Sequence, residues 1–361
     1  MSDSHITRIR SVQKTLSSSS ALLISDPLEI FYLTDFTCLT PEEREAYVFI
    51  TKQSTHLFLS SFSTPTELEG MHVHVGSMST QLKELLPKLC LDSQITSIQF
   101  DGNSLRYNEY QLLKPFFPTT VSLTASQDSP LSNERMVKNS REIEAISKAN
   151  AITHSSLNTI FTQLKVGMTE VDVQQLLEQE MRKLGVTEFA FPTIVCFGDH
   201  TALPHHQPGN RELKDNHPVL IDCGAKWQKY CADVTRTSWF GTQPDPEFTE
   251  IEEVVKEAYK KTFAKLTNLD QKTSTTLAAN LDLIARSHIS AAGFGPDFIH
   301  TTGHGVGLYI HEQPSLNQRN QTELKPGMII TIEPGIYLEN KFGYRFENSI
   351  LITEKSAKEL L

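Results

Sequence analysis

The 361-residue sequence lacks several features that would define its class at once. No stretch reaches the roughly 18 consecutive apolar residues that a membrane-spanning helix needs. The opening MSDSHITRIR has no apolar core of the kind found in signal peptides. Basic residues are outnumbered 33 to 43, and a net charge of −10 argues against a broad phosphate-binding surface. We therefore expect a cytosolic protein that acts neither on nucleic acid nor at a membrane.

The sequence also lacks the motifs of thiol and serine catalysis. The five cysteines have unrelated spacings and form no CxxC pair, so the usual zinc and dithiol motifs are absent. No GxSxG motif marks a serine hydrolase. We expect reduced, mostly buried thiols at Cys38, Cys90, Cys196, Cys223 and Cys231.

Length and composition predict two globular domains. A domain averages about 150 residues, and 39% apolar with 21% charged residues is typical of a soluble fold. A turn-rich segment at 125–133 interrupts the pattern, so we predict domains at 1–130 and 131–361. In the first domain, strands are predicted at 21–24, 30–33, 47–50 and 56–59, and a helix at 81–89.

Two histidines of the first domain alternate with valines. His72 and His74 would share one face of a strand. They are a possible metal-binding pair, but the sequence offers no third ligand nearby. We therefore favour a solvated strand face.

The second domain is predicted to combine long helices with strands. Apolar residues keep helical spacing from Glu142 to a capping Gly167. Thr169 and Asp172 resemble a capping box that starts a second helix, which runs to Gly185. Further helices are predicted at about 247–267 and 275–292, and strands at 218–222, 230–239, 328–333 and 344–352.

Two aspartates lie on neighbouring predicted strands. Asp222 ends one strand and Asp233 lies on the next, and a hairpin turning at Trp227 and Gln228 would pair them directly. Carboxylates that are directly opposed, with Cβ atoms about 4.5–5.5 Å apart, destabilise a sheet unless a positive charge lies between them. A divalent cation would supply that charge. For this pair alone, surface groups at a hairpin end are an equally good interpretation.

Three further residues favour the metal interpretation. His304 lies among the glycines of Thr302–Gly307, which let the backbone approach a site closely. No Val/Ile-rich strand precedes this segment, so we discard a dinucleotide-binding loop. Glu333 and Glu347 lie in core-like strands, where a charge without a partner is costly. Glu347 would share its strand face with Arg345.

These motifs resemble those of the pita-bread metallopeptidases, in the branch of Xaa-Pro aminopeptidases and prolidases. The segments that match are DCG…YCADVTRT, TTGHGVGL…HEQP, TIEPGIY and GYRFEN, and ALLISDPLEIFYLTDF resembles the family's accessory domain. The resemblance implies an α+β fold, with a creatinase-like N-terminal domain and a pita-bread catalytic domain. It places the family's five metal ligands on Asp222, Asp233, His304, Glu333 and Glu347.

The resemblance also implies catalytic histidines. One falls on His205 of the Leu-Pro-His segment, with the adjacent His206 as the alternative, and another falls on His311. His311 would hydrogen-bond the carbonyl oxygen or the tetrahedral intermediate. Glu333 would shuttle the proton while it binds metal.

Substrate contacts are implied at two other positions. His300 resembles a residue that lines the substrate site, and Arg345 would orient a carboxylate of either the metal site or the substrate. Asn348 departs from the pattern, which commonly has Asp there, so the hydrogen bonding around the site is expected to differ.

Charge counting supports two cations at such a site. Four carboxylates and a neutral imidazole offset two divalent cations and leave room for a bridging hydroxide. Mostly oxygen ligands favour a hard ion. The resemblance implies Mn²⁺, with Co²⁺, Fe²⁺ or Zn²⁺ as alternatives.

The expected function is therefore that of a metal-dependent exopeptidase. It would remove the residue that precedes proline at the N-terminus of small peptides, and the resemblance implies a homodimer. An Xaa-Pro dipeptidase using the same chemistry is the nearest alternative. An inactive pita-bread domain that serves as a binding module is another, although all five ligand types are present.

Overall fold

The computed structural model describes residues 5–38, 44–63, 68–267 and 276–361, and it divides into two compact units, Met1–Arg135 and Met136–Leu361. The first unit contains a six-stranded mixed sheet in the order β4-β3-β2-β1-β5-β6. Its strands are β1 Ser20–Ile24, β2 Ala46–Thr51, β3 Thr55–Ser60, β4 His72–Gly76, β5 Ser97–Asp101 and β6 Ser122–Ser126. Its helices are α1 His5–Thr15, α2 Pro27–Thr34, α3 Met78–Asp92 and α4 Tyr107–Leu113, and α5 Ser132–Met136 spans the division.

Most of the elements predicted for the first unit are confirmed, but the strand at 30–33 is wrong. That segment lies inside α2. The carboxylate of Asp26 accepts hydrogen bonds from the backbone N–H groups of Leu28 and Glu29, at 2.9 and 3.1 Å. Pro27 occupies the start of the helix, where its missing N–H costs nothing. The Asp-Pro pair therefore caps a helix instead of turning between two strands.

A third histidine joins the two that alternate on β4. The parallel pairing of β3 with β4 places His56 opposite His72, and Nδ1 of His56 lies 3.1 Å from Nε2 of His74. The ring of His56 stacks on those of His72 and His74 with interplanar angles of 20° and 11°. Burial and then its two neighbours lower the pKa of His56 to about 4. The rings are stacked and do not converge on a common point.

The second unit carries the remaining helices and strands. Its helices are α6 Ser140–Gln163, α7 Glu170–Lys183, α8 Pro246–Thr267 and α9 Ala278–Ala291. Its strands are β7 Glu188–Phe189, β8 Ile194–Phe197, β9 His217–Cys223, β10 Ala225–Trp227, β11 Tyr230–Cys231, β12 Val234–Phe240, β13 Gly303–Gly305, β14 Glu312–Leu316, β15 Ile329–Ile332, β16 Gly335–Leu338, β17 Phe342–Arg345, β18 Asn348–Ile352 and β19 Ala357–Glu359. They form four small sheets, in the orders β11-β10-β7, β12-β9-β8, β14-β13-β15-β18-β19 and β16-β17.

The predicted helices of this unit are confirmed, but the predicted cap Gly167 is wrong. Asn139 and Glu142 form a capping box at the start of α6, which ends at Gln163 with Leu164 as its cap, so Gly167, with a positive φ of 88°, lies beyond the helix end. Thr169 and Asp172 form the capping box of α7, as predicted. Residue 275, the start of the predicted helix at 275–292, lies outside the described residues, and the rest of that prediction corresponds to α9. None of the described helices is long and apolar enough to cross a membrane.

The first long hairpin of the unit turns one residue later than predicted. Gln228 and Lys229 both have positive φ, 49° and 73°, which a tight two-residue turn of the primed type requires. Trp227 consequently pairs with Tyr230. The direct pairing of residues 222 and 233 is therefore wrong, because Asp222 pairs with Thr235.

A second long hairpin is bent between two sheets. β15 pairs with β18, whereas β16 pairs with β17. The predicted single strand at 344–352 is therefore wrong, because it breaks at Phe346 and Glu347. The facing strand breaks at Glu333 and Pro334. At this bend both strands are free of regular pairing, and a glutamate emerges from each.

Candidate metal centre

Five predicted ligands come together in the second unit. Ligand atoms of Asp233, His304 and Glu347 all lie within 4.8 Å of one another. Nε2 of His304 is 3.5 Å from Oδ2 of Asp233 and 3.3 Å from Oε1 of Glu333. Asp222 lies close enough to Glu333 for their charges to interact. One imidazole is thus surrounded by carboxylates from both bent hairpins.

The glycines beside His304 are required by close backbone packing. A Cβ on Gly303 would lie 2.1 Å from the carbonyl oxygen of Thr331, and one on Gly305 would lie 2.2 Å from that of Gln313. No side chain fits at either position. β13 is thereby pressed between β14 and β15, with His304 at its centre.

The orientation of the His304 ring is set by its other nitrogen. Nδ1 lies 3.0 Å from the carbonyl oxygen of Gly305. A carbonyl can only accept, so Nδ1 carries the proton and Nε2 faces the carboxylates. Metal-binding histidines are oriented in this way by a hydrogen bond to the second ring nitrogen.

The electrostatics of the site are those of crowded like charges. Burial raises the pKa values of Asp222, Asp233 and Glu347, and neighbouring carboxylates raise them further. Glu333 is the exception. Burial acts to raise the pKa of Glu333, but the hydrogen bond and the charge of His304 outweigh burial and lower this pKa to about 2. Without a cation, the site would therefore bind protons at several carboxyl groups.

Two oxygens of the site have no partner among the residues that the structure describes. They are Oδ1 of Asp222 and Oε1 of Glu347, both buried. A buried carboxylate oxygen without a hydrogen bond carries an uncompensated desolvation penalty. Divalent cations take oxygen ligands of this kind, so the residues present fit a metal centre.

Arg345 holds part of this site in place. Its Nη2 donates to Oδ2 of Asp222 at 2.7 Å, its Nε donates to Oγ1 of Thr235 at 3.0 Å, and its Nη1 donates to the hydroxyl of Tyr337 at 2.7 Å. Thr235 in turn donates to Oε2 of Glu347 at 2.7 Å. All three guanidinium nitrogens are thus engaged by the protein itself.

Tyr337 was missed by sequence reasoning, although it lies within the TIEPGIY segment. Its hydroxyl lies 2.9 Å from Nε2 of His300 and also accepts from Arg345. His300 packs edge-on against Phe298 and lies 3.9 Å from Glu333. Tyr337 therefore links the two residues predicted to contact substrate.

The three loop histidines are placed differently. His205 is exposed, and its charge interacts with that of His311. The ring of His311 packs edge-on against that of His304, with centroids 4.4 Å apart. His206 instead lies 2.9 Å from Oε2 of Glu170. His205 therefore interacts with His311, whereas His206 is hydrogen-bonded to Glu170.

Asn348 is fully used in the hydrogen-bond network behind Glu347. Its Oδ1 accepts from Nη2 of Arg236 at 2.7 Å. Its Nδ2 donates to the hydroxyl of Tyr259 and to Oε1 of Glu359, each at 3.0 Å. The amide of Asn348 thus donates to the carboxylate of Glu359. An aspartate at position 348 would instead repel that carboxylate.

The fold and this cluster define a class of protein, a metallopeptidase with an accessory N-terminal domain. Residues 144–354 match the model of metallopeptidase family M24, and residues 8–137 match the creatinase/prolidase N-terminal domain. The chain belongs to metallopeptidase family M24. The predicted pita-bread fold with a creatinase-like N-terminal domain is confirmed.

Relatives and solved structures agree with this placement over nearly the whole chain. An uncharacterized peptidase of Staphylococcus saprophyticus is 34% identical, with 95% of each chain covered. The structure of an Xaa-Pro dipeptidase from Bacillus anthracis has a TM-score of 0.86 and 28% identity, covering 99% of this chain and 96% of that one. An X-Pro aminopeptidase from Thermotoga maritima has a TM-score of 0.82 and 28% identity, covering 97% of each.

The network around Asn348 gives a prediction about stability. We expect Asn348→Asp to lower the free energy of unfolding by about 1–3 kcal/mol at pH 8, because it places a carboxylate against Glu359 and removes a buried donor. The introduced carboxylate could still accept from Arg236, but it would repel Glu359, and protonation of either carboxyl removes that repulsion. The destabilisation should therefore shrink as the pH falls toward 5. Urea unfolding at both pH values measures it.

The matched control is Asn348→Asp combined with Glu359→Gln. The amide at 359 removes the repulsion and can donate to the new carboxylate, so the double variant should regain most of the loss at pH 8. An equal loss in the single and double variants would contradict this assignment of the network.

Proposed function

We propose that this chain is an Xaa-Pro aminopeptidase that uses two divalent cations, most favourably Mn²⁺. The observation that carries the proposal is the buried cluster around His304, with two carboxylate oxygens that no described residue satisfies. Four carboxylates and one imidazole are a predominantly oxygen donor set, which favours hard ions. A cytosolic homodimer is part of the same proposal.

Cations bound here would lower the pKa of water toward about 7 and polarise the scissile carbonyl. Side chains of the protein would then transfer the proton and stabilise the developing negative charge. Glu333, whose carboxylate lies beside Nε2 of His304, would accept a proton and pass it to the leaving nitrogen. Burial and the neighbouring His304 lower the pKa of His311, so its neutral ring can donate a hydrogen bond to the developing oxyanion.

Specificity for proline follows from what that residue lacks. The peptide nitrogen of proline carries no hydrogen, so its site needs a shaped apolar surface and no backbone acceptor. His300, Tyr337 and Phe298 form a set of rings beside Glu333. We assign the proline ring to this side of the cluster.

The contacts of Arg345 favour an aminopeptidase over a dipeptidase. A dipeptidase must recognise the carboxylate of the C-terminal proline, whereas an aminopeptidase must leave that side open. Arg345 donates through all three nitrogens to Asp222, Thr235 and Tyr337, so a structural role already occupies it. The solved structure named Xaa-Pro dipeptidase supports the alternative.

Metal removal should lower both activity and stability. The raised pKa values of Asp233 and Glu347 mean that the cation-free protein is stabilised by bound protons at low pH and loses that stabilisation as pH rises. We expect the difference in melting temperature between metal-loaded and chelated protein to be larger at pH 8 than at pH 5.5. Reloading with Mn²⁺ should restore both properties. Full activity of the chelated protein would rule out the proposed mechanism.

The neighbouring histidines should respond differently to the same substitution. We expect His205→Ala to lower kcat by about 10²- to 10⁴-fold, because His205 interacts with His311 and is the ring proposed to meet the substrate. His206→Ala should lower it much less, since His206 faces Glu170. Steady-state kinetics of both variants at equal metal content measure this, and equal losses would reverse the assignment.

The substrate preference tests the proposed function itself. We expect kcat/KM for an Xaa-Pro-Xaa tripeptide to exceed that for the Xaa-Pro dipeptide when both are assayed with Mn²⁺. A preference for the dipeptide by tenfold, about 1.4 kcal/mol of transition-state discrimination, would establish the dipeptidase alternative. Cleavage of neither peptide with any of the four candidate metals would contradict both.

A further inference from the structure

We propose that Glu170 is a positioning residue, whose carboxylate fixes the loop 197–209 and acts on catalysis only through His205, which that loop carries. The inference rests on the proposed function, in which His205 contacts the substrate. Glu170 lies in none of the motifs that predicted the site. It is the first residue of α7 and is fully buried.

Both ends of the loop are bound by this single carboxylate. Oε1 of Glu170 accepts from the backbone N–H of Phe197 at 2.9 Å and from Nδ1 of His200 at 2.7 Å. Oε2 accepts from Nε2 of His206 at 2.9 Å and from the backbone N–H of Gly209 at 3.0 Å. The segment that contains His205 is therefore closed at its base and held again at the adjacent residue.

The backbone at the start of α7 donates to the end of this loop and to the residues just after it. The backbone N–H groups of Glu170 and Val171 donate to the carbonyl oxygens of Arg211 and Gly209, at 3.1 and 3.2 Å. Carbonyl oxygens of Gly209 and Arg211 thus accept from the first turn of the helix, while donors of the loop bind the carboxylate of Glu170. A helix N-terminus also favours a negative charge.

The charge state of Glu170 agrees with this arrangement. Burial acts to raise its pKa, but the hydrogen bonds from His206, Gly209, His200 and Phe197 together outweigh burial and lower it. The ionised carboxylate is therefore the form that the loop binds.

Glu170, His200 and His206 have the residue types and proximity of a metal site, but their hydrogen bonds argue against one. A carboxylate has about four acceptor positions, and all four are occupied. An ionised carboxylate accepts only, so the imidazole nitrogens that face it carry protons and have no lone pair for a cation. The group is a closed hydrogen-bond network, unlike the cluster around His304.

The consequence for catalysis is geometric. Because the ring of His206 and the N–H of Gly209 are bound to Glu170, the backbone that carries His205 is held in place. His205 is exposed and interacts electrostatically with His311. A displacement of about 1 Å in a group that meets the substrate can lower the rate by about 10²-fold.

The test is a double-mutant cycle between Glu170→Gln and His205→Ala. The amide would turn its NH₂ group toward two of the four donors, so the loop should loosen. We expect Glu170→Gln to lower kcat/KM on an Xaa-Pro-Xaa peptide by about 10- to 100-fold. In the His205→Ala background the same change should alter the rate less than twofold, because its effect passes through His205. Independent, additive losses would overturn the inference.

Two further variants keep the cycle interpretable. Glu180 lies on the same helix and forms a partly exposed ion pair with Lys183. The variant Glu180→Gln should therefore have the kcat/KM of the wild type. His200→Phe removes one donor and keeps the ring, which gives a milder change if Glu170→Gln does not fold. Its smaller loss should also vanish in the His205→Ala background.

A readout without catalysis separates this inference from the proposed function. Hydrogen–deuterium exchange of peptides covering 197–209 should be faster in Glu170→Gln than in the wild type and in Glu180→Gln, at unchanged metal content. Unchanged exchange would overturn the inference, and loss of a bound metal ion would show that the group is a metal site. If the wild type cleaves no Xaa-Pro peptide, the proposed function fails, and the exchange result still decides whether Glu170 holds the loop.

Discussion

Mutual repulsion among buried carboxylates is the constraint on which this site depends. Asp222, Asp233, Glu333 and Glu347 are brought together inside one domain, and burial makes each charge more costly. Arg345 pairs with one of them, and His304 lies against two others. The remaining charge must be neutralised by cations or protons. The domain therefore has to hold the four carboxylates in place against a force that separates them.

Two bent hairpins supply that rigidity. In each hairpin, regular pairing stops where the chain passes from one sheet to another, and it resumes on the far side. Asp222 lies just before one such break and Asp233 within it, while Glu333 and Glu347 lie at the other. Side chains at a break can converge on a point between sheets, whereas those within a regular strand stand perpendicular to it. The position of the cluster thus follows from the topology.

Much of this could be predicted from sequence, for reasons that differ between residues. Capping boxes such as Thr169 with Asp172 are local, and the structure has them where predicted. The predicted pairing partner of Asp222 was wrong by two residues, yet Asp222 and Asp233 still come together, because Asp233 lies in the break between β11 and β12. The segment 30–33 was assigned to a strand because Ile30, Phe31 and Tyr32 favour strands by composition, whereas the carboxylate of Asp26 caps a helix there. Tyr337 and Glu170 were missed because their partners are distant in sequence.

The two groups with metal-binding residue types show what separates a candidate ligand from a structural carboxylate. Glu170 and Glu347 are both buried glutamates beside histidine. Every acceptor position of Glu170 is filled by a donor, and its pKa is lowered. Glu347 keeps one oxygen without any described donor, and burial raises its pKa. Glu170 therefore has no free acceptor position for a cation. The carboxylate of Glu347 is costly to bury unless a cation binds to it. Residue type and distance do not distinguish a metal ligand from a structural carboxylate. The hydrogen-bond partners of each carboxylate oxygen do.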